Sequence, residues 1–197
     1  MTPCDTLPMS TVKPDLDRSD VWTEEAYLSL GKTKARIELI DGGLWVSPSS
    51  SNPHNDIAHL LTSALWTPAR EAGLRITPVP NLRLAPGRIL IPDIAVGTFA
   101  RNAAMNHASE AVLVVEITSP SNAVVDRILK RRLYADAKID WYLIVEPDFE
   151  NYKSVTVHLF RREGEKYVAH AEAQHGETLT SDEPFPLEID TTALLDF

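Results

Sequence analysis

An apolar run from Ala111 to Thr118, with the sequence AVLVVEIT, places the tightest limit on what this chain can fold into. Apart from Glu116 and Thr118 every residue in it is apolar, so the run does not alternate as a strand with one wet face would. Such a run is typical of a central strand that is covered on both faces. A second continuous apolar run, Trp141–Val145, predicts another strand. The pattern therefore calls for a sheet with packed layers on both sides.

Two segments carry the signals of helices. Asn52-Pro53 predicts an N-cap with proline at the first helical position, and apolar residues at helical spacing follow it, namely Ile57, Leu60, Leu61, Ala64 and Leu65. Pro68 is expected to kink or shorten this helix and Gly73 to end it. A second helix is predicted from about Ala123 to Ala137. Its inward-facing side chains are predicted to be Val125, Ile128, Leu129 and Leu133.

Strand and turn signals fill the rest of the chain. Strands are predicted at Leu74–Val79, Asn81–Leu84 and Arg88–Val96. Hairpins are predicted across Asp41-Gly42-Gly43 and Glu163-Gly164, because glycine supplies the positive φ that a tight turn needs. The order of hairpin, helix, strands, helix, strand and hairpin predicts an α/β core with antiparallel additions, not alternating doubly wound units.

Length and composition indicate one domain. At 197 residues the chain fits a single domain, expected over residues 21–197, after a polar, proline-rich segment 1–20 that is expected to be a flexible arm. No apolar run approaches the ~20 residues that a bilayer crossing needs, so no membrane is expected, and with no signal-like segment at the start a cytoplasmic location is expected. Cys4 is the single cysteine, which excludes a disulfide framework and a thiolate zinc site.

The net charge of −9 argues against an extended, nonspecific grip on nucleic acid, because neutralising phosphates requires an excess of Lys and Arg. It leaves room for a local basic patch beside an acidic metal site, since a bound divalent ion would offset part of the local charge.

Two acids stand inside apolar strands. Asp93 lies in the segment RILIPDIAV and Glu116 in VVEIT. An ionised carboxylate among buried apolar residues is costly unless it is paired or bound to metal. Two of them on strands that could be neighbours suggest a shared hard cation such as Mg²⁺, which prefers oxygen ligands. The alternative is that each acid lies at a strand end and forms a local salt bridge.

Several motifs occur in an order and spacing that resemble a known family. Along the chain they are RIELIDG at 36–42, SPS at 47–49, His54, IPD at 91–93, VEITSPS at 115–121, Asp126, Lys130, Tyr134 and WYLIV at 141–145. Each motif is weak alone, but their order and spacing together are fairly specific. From about Thr23 to Phe160 the chain resembles the bacterial putative restriction endonuclease family within the PD-(D/E)XK nuclease superfamily.

The resemblance implies a restriction-endonuclease-like fold, in which helices flank a mixed central sheet, here with added β-hairpins. It also implies a magnesium-dependent nuclease site, with Mn²⁺ as a substitute, in which Asp93 takes the place of the P-D acid and Glu116 that of the acid in (D/E)XK. The lysine of that motif is absent, because position 118 is Thr. In the family a basic residue on the following helix stands instead, and Lys130 matches it. DNA as partner and a homodimer as assembly are further implications.

Three other residues are candidates for auxiliary roles. Glu38 could add a third carboxylate or merely hold Arg36 or Lys34. His54 falls in the first turn of a predicted helix. Asp126 and Lys130 stand four residues apart, which also fits a surface ion pair that stabilises the helix by a few tenths of a kcal/mol.

The densest basic patch of the chain contains Arg127, Lys130, Arg131 and Arg132. Because it directly follows the Glu116 strand, it is expected to lie near the site and to bind nucleic-acid phosphates. A solvated helix face is the alternative.

These observations lead to two main hypotheses. The first is a metal-dependent endonuclease that hydrolyses DNA phosphodiester bonds, and the set of Asp93, Glu116 and Lys130 favours it. The second is a catalytically decayed protein of the same fold that binds nucleic acid or protein, favoured by Thr118 and the acidic pI near 5.1. A two-carboxylate hydrolase of another class is a third, weaker hypothesis. A P-loop or dinucleotide site is excluded, because the sequence has no Gly-rich phosphate loop.

Overall fold

A computed structural model of the chain describes residues 21–31, 33, 35–120 and 123–197. The predicted flexible arm, residues 1–20, lies outside the described residues. Among the described residues, no helix combines the length and the apolar character that a bilayer crossing requires.

A six-stranded mixed sheet forms the centre of the fold. Its strands, in spatial order, are β11 (Lys166–Ala173), β10 (Val155–Glu163), β9 (Trp141–Pro147), β8 (Ala111–Ile117), β6 (Ile94–Gly97) and β3 (Arg75–Pro78). Strands β8 and β9 are parallel, and the other neighbours are antiparallel. From Leu113 to Ile117 every residue of β8 is buried, as predicted for a strand covered on both faces.

A second, five-stranded sheet packs beside the first. Its spatial order is β2 (Gly43–Ser47), β1 (Arg36–Ile40), β5 (Arg88–Leu90), β4 (Leu82–Ala85) and β7 (Asn106–His107). The predicted hairpin between β1 and β2 is confirmed, and Asp41 and Gly42 both have positive φ at its turn. Two such residues give the turn a twist that matches that of the flanking strands.

The predicted strand Arg88–Val96 is wrong as a single element. The chain leaves the second sheet at the end of β5 and enters the first at the start of β6, and Ile91–Asp93 crosses between them. Pro92 has no N–H to donate to a sheet ladder, and the N–H of Ile91 donates to Glu38 instead. The crossing leaves Asp93 at the junction of the two sheets.

The first helices follow the sequence signals closely. Helix α1 (Glu24–Ser29) is capped by the Thr23 hydroxyl, which accepts a hydrogen bond from the N–H of Ala26. Helix α2 (Asn52–Glu71) begins one residue before the predicted start, and Pro68 lies inside it without shortening it. The carbonyl that Pro68 leaves unpaired belongs to Ala64, which is exposed, so water can satisfy it.

The second predicted helix is present, but its inward face was predicted only in part: Leu133 is buried and Leu129 packs against the core, whereas Ile128 is exposed. Residues Val125–Lys130 form a π-helical segment that continues into helix α3 (Arg131–Asp136). Its wider turns shift the phase of the buried face, so Ile128 is 69% exposed while Asp126 and Lys130 are buried. The shifted face places two charged side chains in the interior of the protein.

A further hairpin lies near the end of the chain. Strands β12 (Thr178–Ser181) and β13 (Leu187–Asp190) pair antiparallel. Their buried residues Leu179, Leu187 and Ile189 join the apolar core that lies between α2 and the six-stranded sheet. The hairpin therefore closes the same core that α2 covers.

Candidate catalytic and metal site

The two predicted acids lie next to each other. Ile94 at the start of β6 pairs antiparallel with Val115 of β8, so Asp93 comes opposite Glu116. Both carboxyl groups are buried. The N–H of Ile117 donates to Asp93 Oδ2 at 2.7 Å, which fixes that carboxylate against the end of the central strand.

A guanidinium group from the second sheet joins the two acids. Arg36, the first residue of β1, donates from Nη1 to Asp93 Oδ1 at 2.7 Å. Its Nη2 lies 3.6 Å from Glu116 Oε2. His54, in the first turn of α2, approaches the other oxygen of Asp93 with Nε2 at 3.3 Å. Asp93 thus has a cation or an N–H donor on each oxygen.

The other oxygen of Glu116 faces the second helical segment. Lys130 Nζ lies 3.2 Å from Glu116 Oε1, and the Tyr134 hydroxyl donates to the same oxygen at 2.6 Å. Lys130 also lies 3.2 Å from Glu38 Oε1 and 3.5 Å from Asp126 Oδ1. The Asp126–Lys130 pair is buried, so its interpretation as a surface ion pair is wrong. Lys130 is the common partner of three carboxyl groups.

Burial and neighbouring charges shift the pKa values of the two acids in opposite directions. Burial pushes the pKa of Asp93 upward, but His54 and Arg36 outweigh it and hold that pKa well below its usual range. Burial raises the pKa of Glu116, and the Lys130 ammonium opposes that rise only in part. Asp93 is therefore firmly ionised, whereas Glu116 depends on the cations beside it.

The pKa of Asp126 is raised to about 8 by burial and by the charge of Glu116. Both of its carboxyl oxygens lack a hydrogen-bond partner within the described part of the chain. The pKa of Lys130 would be lowered by burial, but Glu116 and Glu38 raise it, so the ammonium stays charged. In the same way the Asp93 carboxylate overcomes burial and raises the pKa of His54.

The cluster fits a divalent cation in donor type and in charge. Its four carboxyl groups and the cations Arg36 and Lys130 leave two negative charges when every acid is ionised, and one when Asp126 keeps the proton that its pKa of about 8 favours at neutral pH. Glu116 Oε2 has no hydrogen-bond partner among the described residues, as expected of an oxygen kept for a cation. Asp93 and Glu116 would be its ligands. In the same described residues, however, no three His, Cys, Asp or Glu side chains converge in metal-ligand geometry, and Arg36 stands between the two acids.

An open cavity of about 300 Å³ lies beside this cluster. Arg36 and His54 form part of its wall, together with the serine-rich loop 47–51, Ser119, Pro120 and Tyr152. The cavity therefore borders two of the residues that contact Asp93.

The three arginines of the predicted phosphate-binding patch point elsewhere. Arg127 pairs with Glu146, and Arg131 donates to the carbonyl of Tyr167 at 3.0 Å while its guanidinium covers the Phe160 ring. Arg132 is 81% exposed. These residues line a face formed by the second helical segment and by β9–β11, not the cavity next to Asp93. Their binding of nucleic acid stays a prediction.

The sequence analysis predicted most residues of this cluster but missed two of them. Glu38, His54, Asp126 and Lys130 lie within it or contact it. Arg36 and Tyr134 belonged to the family-like motifs, but no site role was predicted for either. A signal existed for both: Arg36 stands two residues before Glu38 on one strand, and Tyr134 stands four residues after Lys130 on one helix, so each shares a face with a predicted residue.

Comparisons with known proteins agree with the observed fold. A solved structure from Anabaena variabilis, described as a putative nuclease belonging to DUF820, is similar with a TM-score of 0.66 and 16% identity, covering 88% of this chain and 99% of that one. At that identity the similarity shows the fold. No curated protein matches the chain. The family model named Uma2, with the description "Putative restriction endonuclease", matches residues 24–194. The chain therefore belongs to the Uma2 family of restriction-endonuclease-like proteins.

Proposed function

We propose that this protein is a metal-dependent endonuclease that hydrolyses phosphodiester bonds of DNA. The observation that carries the proposal is the buried pair of Asp93 and Glu116, with the Lys130 ammonium 3.2 Å from Glu116 and an open cavity alongside. Membership of a family described as restriction endonucleases supports the same activity.

Asp93 and Glu116 would hold Mg²⁺, for which Mn²⁺ would substitute, because hard divalent ions prefer carboxylate oxygens. When bound, such an ion makes water a stronger nucleophile at neutral pH and stabilises the charge that builds on the phosphate. Asp93 suits this role because its depressed pKa keeps it ionised. The N–H of Ile117 fixes its orientation.

Lys130 takes the role that position 118 cannot. The Thr118 side chain is buried and donates to the carbonyl of Val145, so it ties β8 to β9 and brings no charge. Lys130 supplies a positive charge at Glu116 from the neighbouring helix and keeps that carboxylate oriented together with the Tyr134 hydroxyl. A cation held here can stabilise negative charge in the transition state without moving.

The proposed partner is DNA, and its proposed contacts are Arg127, Arg131 and Arg132, on the face formed by the second helical segment and β9–β11. The acidic chain favours a confined contact over an extended one. A homodimer and a cytoplasmic location stay proposals that rest on the family resemblance and on the sequence.

One observation favours the second candidate, a catalytically inactive binding protein. Arg36 already neutralises the acids that would hold the metal, which is what a decayed site would also contain. The two candidates differ in whether the protein cleaves DNA when a divalent ion is supplied.

Supercoiled plasmid incubated with the protein provides the test. We expect nicking in Mg²⁺, none in EDTA, and a loss of about 10²-fold or more in rate for Asp93→Ala and for Glu116→Gln. Glu188→Gln is a matched control, because Glu188 is an exposed strand residue far along the chain, on β13. Cleavage by the Asp93 and Glu116 variants at the wild-type rate, or no cleavage by the folded wild type on any DNA, would reject the proposal.

A further inference from the structure

Arg36 occupies the position that a metal shared by Asp93 and Glu116 would need. Two nitrogens of one guanidinium face the two acids, at 2.7 Å from Asp93 Oδ1 and 3.6 Å from Glu116 Oε2. A guanidinium and a divalent ion cannot both sit between the same two carboxylates, because like charges at such a separation repel strongly.

The hold on Arg36 is incomplete. The hydrogen bond to Asp93 satisfies Nη1, but Nε and Nη2 are buried and lack a hydrogen-bond partner within the described residues. Buried donors without partners are costly, so this position is not the most favourable that a guanidinium could find. Arg36 therefore offsets the negative charge of the two acids while two of its own N–H groups stay without hydrogen bonds.

The Arg36 side chain also borders a space into which it could rotate. It is 16% exposed and forms part of the wall of the cavity of about 300 Å³ beside the site. The same cavity is lined by the loop Ser47–Ser51, whose hydroxyl and carbonyl oxygens can accept hydrogen bonds. A rotation of the side chain would thus exchange buried, unpaired donors for a polar and partly hydrated surface.

We infer that Arg36 is a built-in competitor of the metal, which holds the acid pair in the resting protein and moves into the serine-lined cavity when a divalent ion binds. The inference rests on the proposed function, since it takes Asp93 and Glu116 as the metal ligands. In this role Arg36 is a positioning residue that sets how tightly the ion is held.

Metal affinity measured without substrate tests this inference. Mn²⁺ binding is followed by electron paramagnetic resonance in wild type, Arg36→Gln and Arg36→Lys, with Arg88→Gln as the control. Arg88 is also on the second sheet, but it pairs with Asp41 at the surface. We expect Arg36→Gln to bind Mn²⁺ about tenfold more tightly or better, because a competing charge is gone. Arg36→Lys keeps the charge and is expected to stay within about threefold of wild type, as is Arg88→Gln.

Equal or weaker Mn²⁺ affinity in Arg36→Gln would overturn the inference, and so would an equal gain in Arg36→Lys or Arg88→Gln. Should Arg36→Gln fail to fold, the wild type decides: a structure with Mn²⁺ bound must show Arg36 Nη1 beyond hydrogen-bond distance from Asp93, and a persisting 2.7 Å pair would overturn it.

The same measurements separate this inference from the proposed function. Mn²⁺ binding that Glu116→Gln abolishes but Arg36→Gln leaves unchanged would remove the role of Arg36 and keep the metal site. Binding in neither wild type nor Arg36→Gln would remove both. Plasmid cleavage plays no part in the readout, so a slow or unsuitable DNA substrate cannot imitate either result.

Discussion

The two helical segments on opposite faces of the six-stranded sheet bury different kinds of side chain. Helix α2 presents mainly apolar residues to the core, among them Ile57, Leu61 and Leu65. The segment that runs from the π-helical turns into α3 buries Asp126 and Lys130 instead, followed by Tyr134. One helix stabilises the sheet by apolar burial, whereas the other places charges where they are costly unless paired.

The central strand β8 shows the same difference between its two faces. Successive side chains of a strand point to opposite faces, and in β8 Leu113, Val115 and Ile117 join the apolar core with α2. Glu116 points the other way, to Lys130 and Tyr134. A natural chain that needed only stability would bury apolar side chains on both faces, so the charged face is the place to look for chemistry.

The largest expected effect on stability lies on the charged helix. Lys130→Met removes the shared partner of Glu38, Glu116 and Asp126, and leaving buried carboxylates unpaired should cost about 3–5 kcal/mol of unfolding free energy. Urea denaturation measures it. Arg132→Met on the same segment is the control, since an exposed ion pair should contribute under about 1 kcal/mol. Equal losses in the two variants would mean that Lys130 is not the electrostatic centre of this face.

A comparable but slightly smaller loss is expected on the apolar helix. Leu61→Ala leaves a cavity in a fully buried position and should cost about 3 kcal/mol. Unlike Lys130→Met, it should leave Mn²⁺ affinity within about twofold of wild type, since Leu61 touches only the apolar core. A large change in Mn²⁺ binding would show that the two faces are coupled, and the comparison would then need revision.

A further expected effect is a dependence of stability on pH, to which Asp126 on the charged helix contributes. Folding raises the pKa of Asp126 from its ordinary value of 3.8 to about 8. Between pH 3.8 and pH 8 the folded state therefore keeps a proton on this carboxyl group that the unfolded state has lost. Stability from this group therefore falls as pH rises from about 4 to about 8.

Urea unfolding of wild type, Asp126→Asn and Leu61→Ala across that pH range measures the effect. Asp126→Asn should reduce the slope of the profile, because the Asn side chain cannot ionise, and Leu61→Ala should lower the profile without changing its slope. A wild-type slope that Asp126→Asn leaves intact would assign the pH dependence to another group.

The contrast between the apolar and the charged face also explains how much of the structure could be predicted from the sequence. The apolar run at Ala111–Ile117 and the turn at Asp41-Gly42 were predictable, because burial pattern and backbone preference are local properties. The acids Asp93 and Glu116 were noticeable because charge is rare inside apolar strands. These features fixed the fold class and the centre of the site.

Three features escaped because they depend on tertiary contacts. The π-helical turns at Val125–Lys130 change the phase of a helix in a way that no residue type announces, so Ile128 was predicted inward but is exposed. The crossing at Pro92 was hidden by continuous apolar residues on either side of it. Arg36 faces Asp93 across 57 positions of sequence, and only the packing of the second sheet against the first brings them together.

The most direct test of the central claim is the position of the metal. Crystals grown with Mn²⁺ should give one anomalous scattering peak between Asp93 and Glu116, with ligand distances near ~2.1 Å as for Mg²⁺, and Lys130 still beside Glu116. An Mn²⁺ peak elsewhere, or none at a concentration that supports cleavage, would contradict the account, because the buried acid pair would then serve the fold and not the chemistry.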